Sequence, residues 1–297
     1  MLDYASLAAL AAVVREGSFE KAAAALGVTP SAVSQRVKAL EERVGSVLVV
    51  RSQPCLATAA GAKLCAHAER VRLLEGEMVE DLPGLSTSSE GPVTLRVAVN
   101  ADSLGTWFLP AVAAFAAANS ALLDLVMDDE KHTAERLRSG EVLAAVTADP
   151  VPVPGCRTLA LGALRYIATA SPDFMRRHFA AGVTVAALGQ APVLRFDRRD
   201  RLQQRWAQDA CGTALEAPVH WIPSTQGFVD ASLAGLGWGM NPVALAAPHL
   251  AAGRLVELMP GSWLDVTLHW QHARLGARLI EALTRDVVAA ARRGLVT

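Results

Sequence analysis

Ser31, Ser34, Gln35 and Lys38 are spaced so that on a helix they form one polar stripe, while Val33, Val37, Leu40 and Val44 form an apolar one. Short hydroxyl, amide and ammonium groups in that pattern suit base edges and phosphates in a DNA major groove about 12 Å wide. A second group of candidates follows apolar runs further along. Asn100, Asp102, Ser103 and Thr106 come after VTLRVAV, Asp128, Asp129 and Glu130 after LLDLVM, and Thr147 ends VLAAVT. Phe196 ends PVLRF and Asp197 follows it, and Ser224 and Thr225 open a later helix. Hydroxyls and free N–H groups at helix starts hold a carboxylate. Carboxylates take an ammonium or, in bidentate fashion, a guanidinium. Together these groups describe a site for a zwitterion with a cationic tail. Each also has a plainer reading: Asp102 or Ser103 as a helix cap, 128–130 as a solvated turn, Trp107 as core rather than cleft wall.

The polar stripe needs a helix to carry it, and the start of that helix is well marked. Thr29 can cap the free N–H groups, and Pro30 occupies the first turn, where its missing N–H is tolerated. Phe19, Ala22, Ala23 and Leu26 give a preceding helix ended by Gly27, so Gly27-Val28-Thr29 is a turn of helix-turn-helix length. Leu7, Leu10, Ala11 and Val14 supply a third helix. VLVVRSQPCLA, 47–57, reads as two extended segments around Ser52-Gln53-Pro54. Arg51 near that tip suits a phosphate or a minor groove. Thr29, Pro30 and Arg36 complete the candidate DNA contacts. The alternative is a small helical bundle whose polar face only meets water.

The block Leu7 to Gly61, AAAALGVTPSAVSQRVKALEERVG followed by LVVR and TAAG, resembles the winged helix-turn-helix of LysR-type transcriptional regulators. The likeness extends over the whole chain. It is closest to the arginine and lysine export regulators of that family, notably at VNADSLGTW, 99–107. Val49 departs from it, since the wider family commonly has an aromatic residue before the wing; the difference touches wing packing more than reading.

The resemblance implies an α/β multidomain chain: a winged helix-turn-helix at 1–58, a linker dimerisation helix and hinge at 59–90, and an effector domain at 91–297. That last part would be two α/β subdomains resembling periplasmic binding proteins, subdomain I at 91–164 and 267–297 and subdomain II at 165–266. The implied partners are double-stranded promoter DNA, L-lysine or L-arginine as effector, a second subunit and then a tetramer, and RNA polymerase. The implied target is an amino-acid exporter gene. Asp102, Ser103 and Thr106 lie inside the matching motif and gain weight as effector contacts.

Composition agrees with a two-part cytoplasmic protein. The 297 residues exceed what one core usually organises, and 52% apolar with 19% charged residues suits globular domains. With 28 Lys+Arg against 29 Asp+Glu there is no overall basic field, and the first 58 residues hold six cations against five anions. DNA affinity must therefore come from a local patch used twice. Four cysteines without ligand spacing imply neither zinc nor disulfides, and no metal or cofactor is expected. The N-terminus lacks a positive leader before its apolar run, so no signal peptide is read there. Ser103–Leu123 carries no charge, but Pro110, Asn119 and Ser120 interrupt it, so a buried helix plus strand is expected rather than a membrane span.

After the wing, Thr58 opens a long helix to about Leu82, before Pro83-Gly84, and 85–92 is expected to be a flexible joint. Along that helix Leu64, His67, Val71, Leu74 and Met78 form an imperfect heptad seam. Leu64, Val71, Leu74 and Met78 are the candidate dimerisation residues; packing on the chain's own domain is the alternative. From Val93 onward apolar strands alternate with helices, as in open α/β sheets, where ligands bind at strand ends. No GxSxG, HExxH, P-loop or complete GxGxxG is present, so an enzyme is not expected. A LysR-type regulator with a different small effector, a ligand-independent nucleoid- or origin-binding protein, and a solute-binding protein are the remaining rivals.

Overall fold

The computed structural model describes residues 3–82, 92–127 and 130–297. Three helices open it: α1 (Tyr4–Glu16), α2 (Phe19–Ala25) and α3 (Pro30–Val44). Leu7, Leu10, Val13, Ala22, Val33, Val37 and Leu40 close one small core between them. Each helix start is capped by a short polar side chain, Asp3, Ser18 and Thr29. Gly45 ends α3 at φ +73°, a left-handed position that suits glycine. Val44 departs from the expected apolar stripe: it is exposed, because α3 has run a full turn past Leu40 and off the core.

The wing forms as expected, with β1 (Val49–Val50) antiparallel to β2 (Leu56–Ala57). Glu41 of α3 anchors it, its carboxylate accepting from the Leu48 N–H at 2.8 Å and the Val49 N–H at 3.4 Å. Val49 is buried, so an aliphatic side chain fills the place the resemblance gives to an aromatic. At Gly61 a Cβ would lie 2.0 Å from the Leu48 carbonyl oxygen, so only glycine allows the next helix to pass this close.

That helix, α4 (Ala59–Asp81), is capped by Thr58. It serves two cores: Leu64, Cys65 and Ala68 pack on the head, and Leu73 is buried among Leu95 and Val97 of the C-terminal part. The expected seam is therefore divided. Leu64 is taken up by its own domain, whereas Leu74 and Met78 stand exposed and Val71 is half-buried.

The C-terminal part follows as β3 (Val93–Val99), α5 (Ala101–Ser103), a π-helical turn (Leu104–Phe108), α6 (Leu109–Ala118), β4 (Ala121–Met127), α7 (Glu130–Ser139), β5 (Ala144–Thr147) and β6 (Cys156–Ala170). It continues through α8 (Pro172–His178), α9 (Val185–Gln190), β7 (Val193–Arg195), α10 (Leu202–Cys211), β8 (Val219–Trp221) and α11 (Thr225–Leu233). Last come β9 (Gly239–Pro242), α12 (Val243–Ala251), β10 (Val256–Glu257), β11 (Trp263–Ala273) and α13 (Arg278–Gly294). One seven-stranded sheet runs in the order β10-β6-β11-β5-β3-β4 with β9 also on β6, and β7 pairs β8 in a separate parallel sheet. The two long strands join the halves, pairing antiparallel from Cys156↔Ala273 to Ile167↔Trp263 with one register shift at Leu268/His269.

The runs VTLRVAV, LLDLVM, VLAAVT and PVLRF all hold strands, β3, β4, β5 and β7; β9, β10, α8, α9 and α12 escape the sequence pattern. They are short, and Pro248 lies inside α12, where a proline ordinarily interrupts a helix. The stretch Ala101–Ala118 is long and apolar enough to cross a membrane by length and composition alone. Here it buries Trp107, Phe108, Ala111 and Phe115 in the main core, and β4 follows it, as expected of Ser103–Leu123.

Candidate DNA-reading head and effector cleft

On α3 the apolar residues that face α1 and α2 leave the polar stripe turned outward. Ser31, Gln35 and Lys38 are exposed, Ser34 and Arg36 half-buried, and Thr29 and Pro30 sit at the exposed helix start. Lys38 lies 3.7 Å from Glu42, but both are so exposed that water and salt screen the pair, and DNA phosphates compete readily for the lysine. Arg51 is positioned by the wing with its guanidinium 4.9 Å from the centre of the Phe19 ring. An exposed helix with a polar face and an arginine at the adjoining wing can enter a groove and hold its flanking phosphates.

Three variants separate reading from holding. Gln35→Ala should cost about 1–3 kcal/mol on the cognate site and relax its base preference. Lys38→Ala and Arg51→Ala should weaken all DNA alike and flatten the dependence on salt, measured by anisotropy across a salt series. A salt slope unchanged in both would place these cations away from phosphates.

The second constellation gathers at the end of β3. Asn100 caps α5, its Oδ1 accepting from the Ser103 N–H at 3.0 Å, which turns Asp102 toward β6 and α11. There the Tyr166 hydroxyl donates to Asp102 Oδ2 and the Thr225 hydroxyl to Asp102 Oδ1, both at 2.7 Å. Burial raises the Asp102 pKa above 3.8; the two hydroxyl hydrogen bonds lower it by less, and the nearby Asp200 charge adds to the rise. Among the described residues no cation pairs with Asp102. The carboxylate is desolvated, oriented and short of positive charge. The approach needs Gly105, whose Cβ would come 3.3 Å from the Thr225 methyl.

Asp200 itself accepts from the Phe196 N–H, the Leu202 N–H and the Gln203 amide. Its charge also acts on Arg195, which is 8% exposed. With the Gln204 amide turned so that its oxygen faces them, Gln204 accepts from Arg195 Nη1 at 3.1 Å and Arg201 Nη1 at 3.2 Å. The guanidinium of Arg195 lies 6.0 Å and that of Arg198 4.4 Å from the centre of the Trp221 ring. Anionic and cationic groups thus stand within electrostatic reach of one another, as a zwitterion requires.

Of the residues expected at this site, the structure joins Asp102 and Thr225 directly and places Thr106 beside them, its hydroxyl donating to the Asp102 carbonyl. Ser224 caps α11. Asp197 holds a turn by accepting from the Arg199 and Asp200 N–H groups, and through that turn Phe196 meets Asp200. Ser103 is not among them: it is buried, and its hydroxyl accepts from the Trp107 indole at 3.1 Å, because a buried indole N–H needs an acceptor. Trp107 is core, as expected. Thr147 is also buried, its hydroxyl accepting from the Asp149 N–H at the strand end. Asp128, Asp129 and the Glu130 side chain lie outside the described residues. Tyr166, Asp200 and Arg195 were missed. Tyr166 sits inside LRYIATA, where a lone hydroxyl among apolar strand residues was the available signal; the other two lie in the charge run RFDRRDR, which reads as a solvated surface.

Residues 4–62 match the family described as "Bacterial regulatory helix-turn-helix protein, lysR family", and residues 89–293 that described as "LysR substrate binding domain". The HTH-type transcriptional regulator ArgP of Pseudomonas aeruginosa (strain UCBPP-PA14) is 47% identical over 296 residues, 100% of this chain and 98% of that protein. The lysine export transcriptional regulatory protein LysG of Corynebacterium efficiens is 45% identical over 289 residues, 97% of each chain. Among solved structures, full-length LysG from Corynebacterium glutamicum with bound effector Arg is similar at a TM-score of 0.72 and 41% identity, covering 100% of both chains.

Proposed function

Because the chain belongs to the LysR family of bacterial transcriptional regulators, we infer that it binds promoter DNA through α3 and the wing and responds to a basic amino acid held at Asp102. The observation that carries this reading is the desolvated Asp102 carboxylate between Tyr166 and Thr225, without a partner cation among the described residues. The ligand's ammonium or guanidinium would replace the Thr225 hydroxyl there, and Asp200 would add to the negative field. Its carboxylate would meet Arg195 or the N–H groups at the start of α11. The similar protein with bound Arg, and the lysine export regulator among the relatives, support arginine or lysine as effector and an amino-acid exporter gene as target.

The relatives are regulators, not catalysts, and no group of three or more His, Cys, Asp or Glu able to hold a metal is present among the described residues. The expected site is the cytoplasm, where the DNA is. The exposed Leu74 and Met78 on α4 support pairing of two subunits through this helix, which would hold two heads at fixed spacing; a tetramer and contact with RNA polymerase extend the same scheme. Effector can alter regulation only by favouring one arrangement over another, so DNA must in turn alter effector affinity.

The test is fluorescence anisotropy at fixed salt with the intergenic DNA beside the chain's own gene and a scrambled control, with and without arginine and lysine. Specific binding shifted by either amino acid is expected. Specific binding that neither shifts would remove the effector, and equal affinity for both DNAs would remove the regulator.

A further inference from the structure

Away from the cleft, the start of β6, the end of β11 and the N-terminus of α13 enclose a pocket of about 350 Å³. Arg157, His272, Arg274 and Glu281 line it with the backbone at Gly276 and Ala277. Arg157 and His272 are directly opposed across the antiparallel ladder, so their side chains share one face. Arg274 is fixed next to them, its Nε donating to the Cys156 carbonyl at 3.0 Å. Ala277 occupies the N-cap position of the 17-residue α13 and offers no side-chain acceptor. That helix end already attracts one anion, since Glu77 of α4 accepts from the Leu279 N–H at 3.2 Å.

His272 is buried to 93%, being 7% exposed, and its Nε2 has no hydrogen-bond partner, while Nδ1 contacts the Ala273 carbonyl at 3.2 Å. An orphaned imidazole nitrogen beside two arginines is a group lacking its counterpart. Opposite charge is scarce: among the described residues Glu281 is the one acid lining the pocket, and Glu77 is engaged by Arg278 at 3.9 Å.

We propose that this pocket is a second ligand site, for a compact free oxyanion held by Arg157 and Arg274 at the start of α13. The concave shape and small volume favour a free ion over the side chain of a docking protein. The occupied site takes up a proton. Empty, His272 is kept neutral chiefly by burial and secondarily by Arg157, the Ala273 carbonyl and Glu281 acting the other way. An anion between the arginines reverses the repulsion and gives the imidazolium a partner.

The probe is sulfate, a compact oxyanion that does not titrate between pH 6 and 8, added to the full-length protein by calorimetry in two buffers of different ionisation enthalpy, with ionic strength matched by chloride. Saturable binding with proton uptake, tightening as pH falls from 8 to 6, is expected. Arg157→Gln and Arg274→Gln should each weaken it on the order of tenfold, whereas Arg157→Lys keeps most of it. His272→Gln should remove the proton uptake while sulfate still binds. Absence of saturable binding above chloride would overturn the proposal. So would binding that both Gln variants, folded by circular dichroism, leave unchanged, or proton uptake that survives His272→Gln. Arginine affinity at the cleft, measured in the same preparations, should be unaltered, which keeps this result independent of the effector reading.

Discussion

Asp102→Asn is expected to weaken binding of arginine or lysine roughly a hundredfold, about 3 kcal/mol, while the ligand-free protein becomes no less stable. The amide is nearly isosteric and can still accept from one hydroxyl and donate to the other, so the Tyr166 and Thr225 contacts persist in altered form. What disappears is the charge that a cationic tail would neutralise. Because burial lifts the folded-state pKa above the ordinary 3.8, the folded protein holds this proton more tightly than the unfolded chain. Asp102 therefore costs no stability below the ordinary value, and the cost grows as pH rises through the window up to the lifted one. Above that window the Asn variant should melt at a higher temperature than wild type, and the gap should close in acid. Effector affinity of the wild type runs the other way, falling as pH drops through the lifted pKa, because the bound cation requires the carboxylate. Calorimetric titration and thermal melts across pH measure both. An Asn variant that binds arginine normally would remove Asp102 from the site, and one that melts lower at neutral pH would make it a structural cap.

Leu73→Ala is expected to cost about 3 kcal/mol, as large-to-small changes in a filled core do. Leu73 is 1% exposed, and although it belongs to α4 its neighbours are strand residues of the C-terminal part. The same face of α4 is tied further by Arg72 donating to the Pro92 carbonyl and by Glu77 and Asp81 meeting Arg278. Arg278 and Asp81 are exposed and their pairing is worth little by itself, whereas the Glu77 carboxylate is mostly buried and also accepts from the Leu279 N–H. The leucine thus carries the apolar part of the attachment, and its loss should loosen the link between effector state and the DNA-reading heads. Urea denaturation of the C-terminal transition reads the stability. The ratio of DNA affinities with and without arginine reads the coupling, which should fall toward one. A cost below 1 kcal/mol would mean that the site collapses around alanine and the joint rests elsewhere.

How far the sequence foretold this molecule follows from which signals are local. Caps and turns are local, so Thr29-Pro30, Gly27 and the 47–57 hairpin could be read directly. The strands of the C-terminal part were legible for the same reason: their short apolar runs, such as the fully buried β5, stand out between helices. What stayed hidden depends on contacts between distant residues. Ser103 and Asp102 are neighbours in one motif, yet one turns into the core to satisfy Trp107 and the other meets Tyr166 and Thr225, 64 and 123 residues away. Nothing in the spacing distinguishes them. Likewise the heptad seam of α4 repeats evenly, but which of its residues pack at home depends on the head that folds against Leu64.

The long pair β6 and β11 carries a mechanical consequence. Because both strands belong to one sheet that extends through each half, the halves cannot swing on slack tethers; they can only turn by twisting that ribbon. The ladder is weakest in resisting this at the register shift of Leu268/His269 and beside Gly162, whose φ of +120° leaves room for the Val296 carbonyl against it. A ribbon twisted at mid-length turns at both ends, and one end, Cys156 with Ala273, lies next to Arg274 and within the field of Arg70 on α4. The strand pair can thus act as a torsion bar: under the proposed reading, a small molecule that twisted the halves would also move the strand ends that lie near α4.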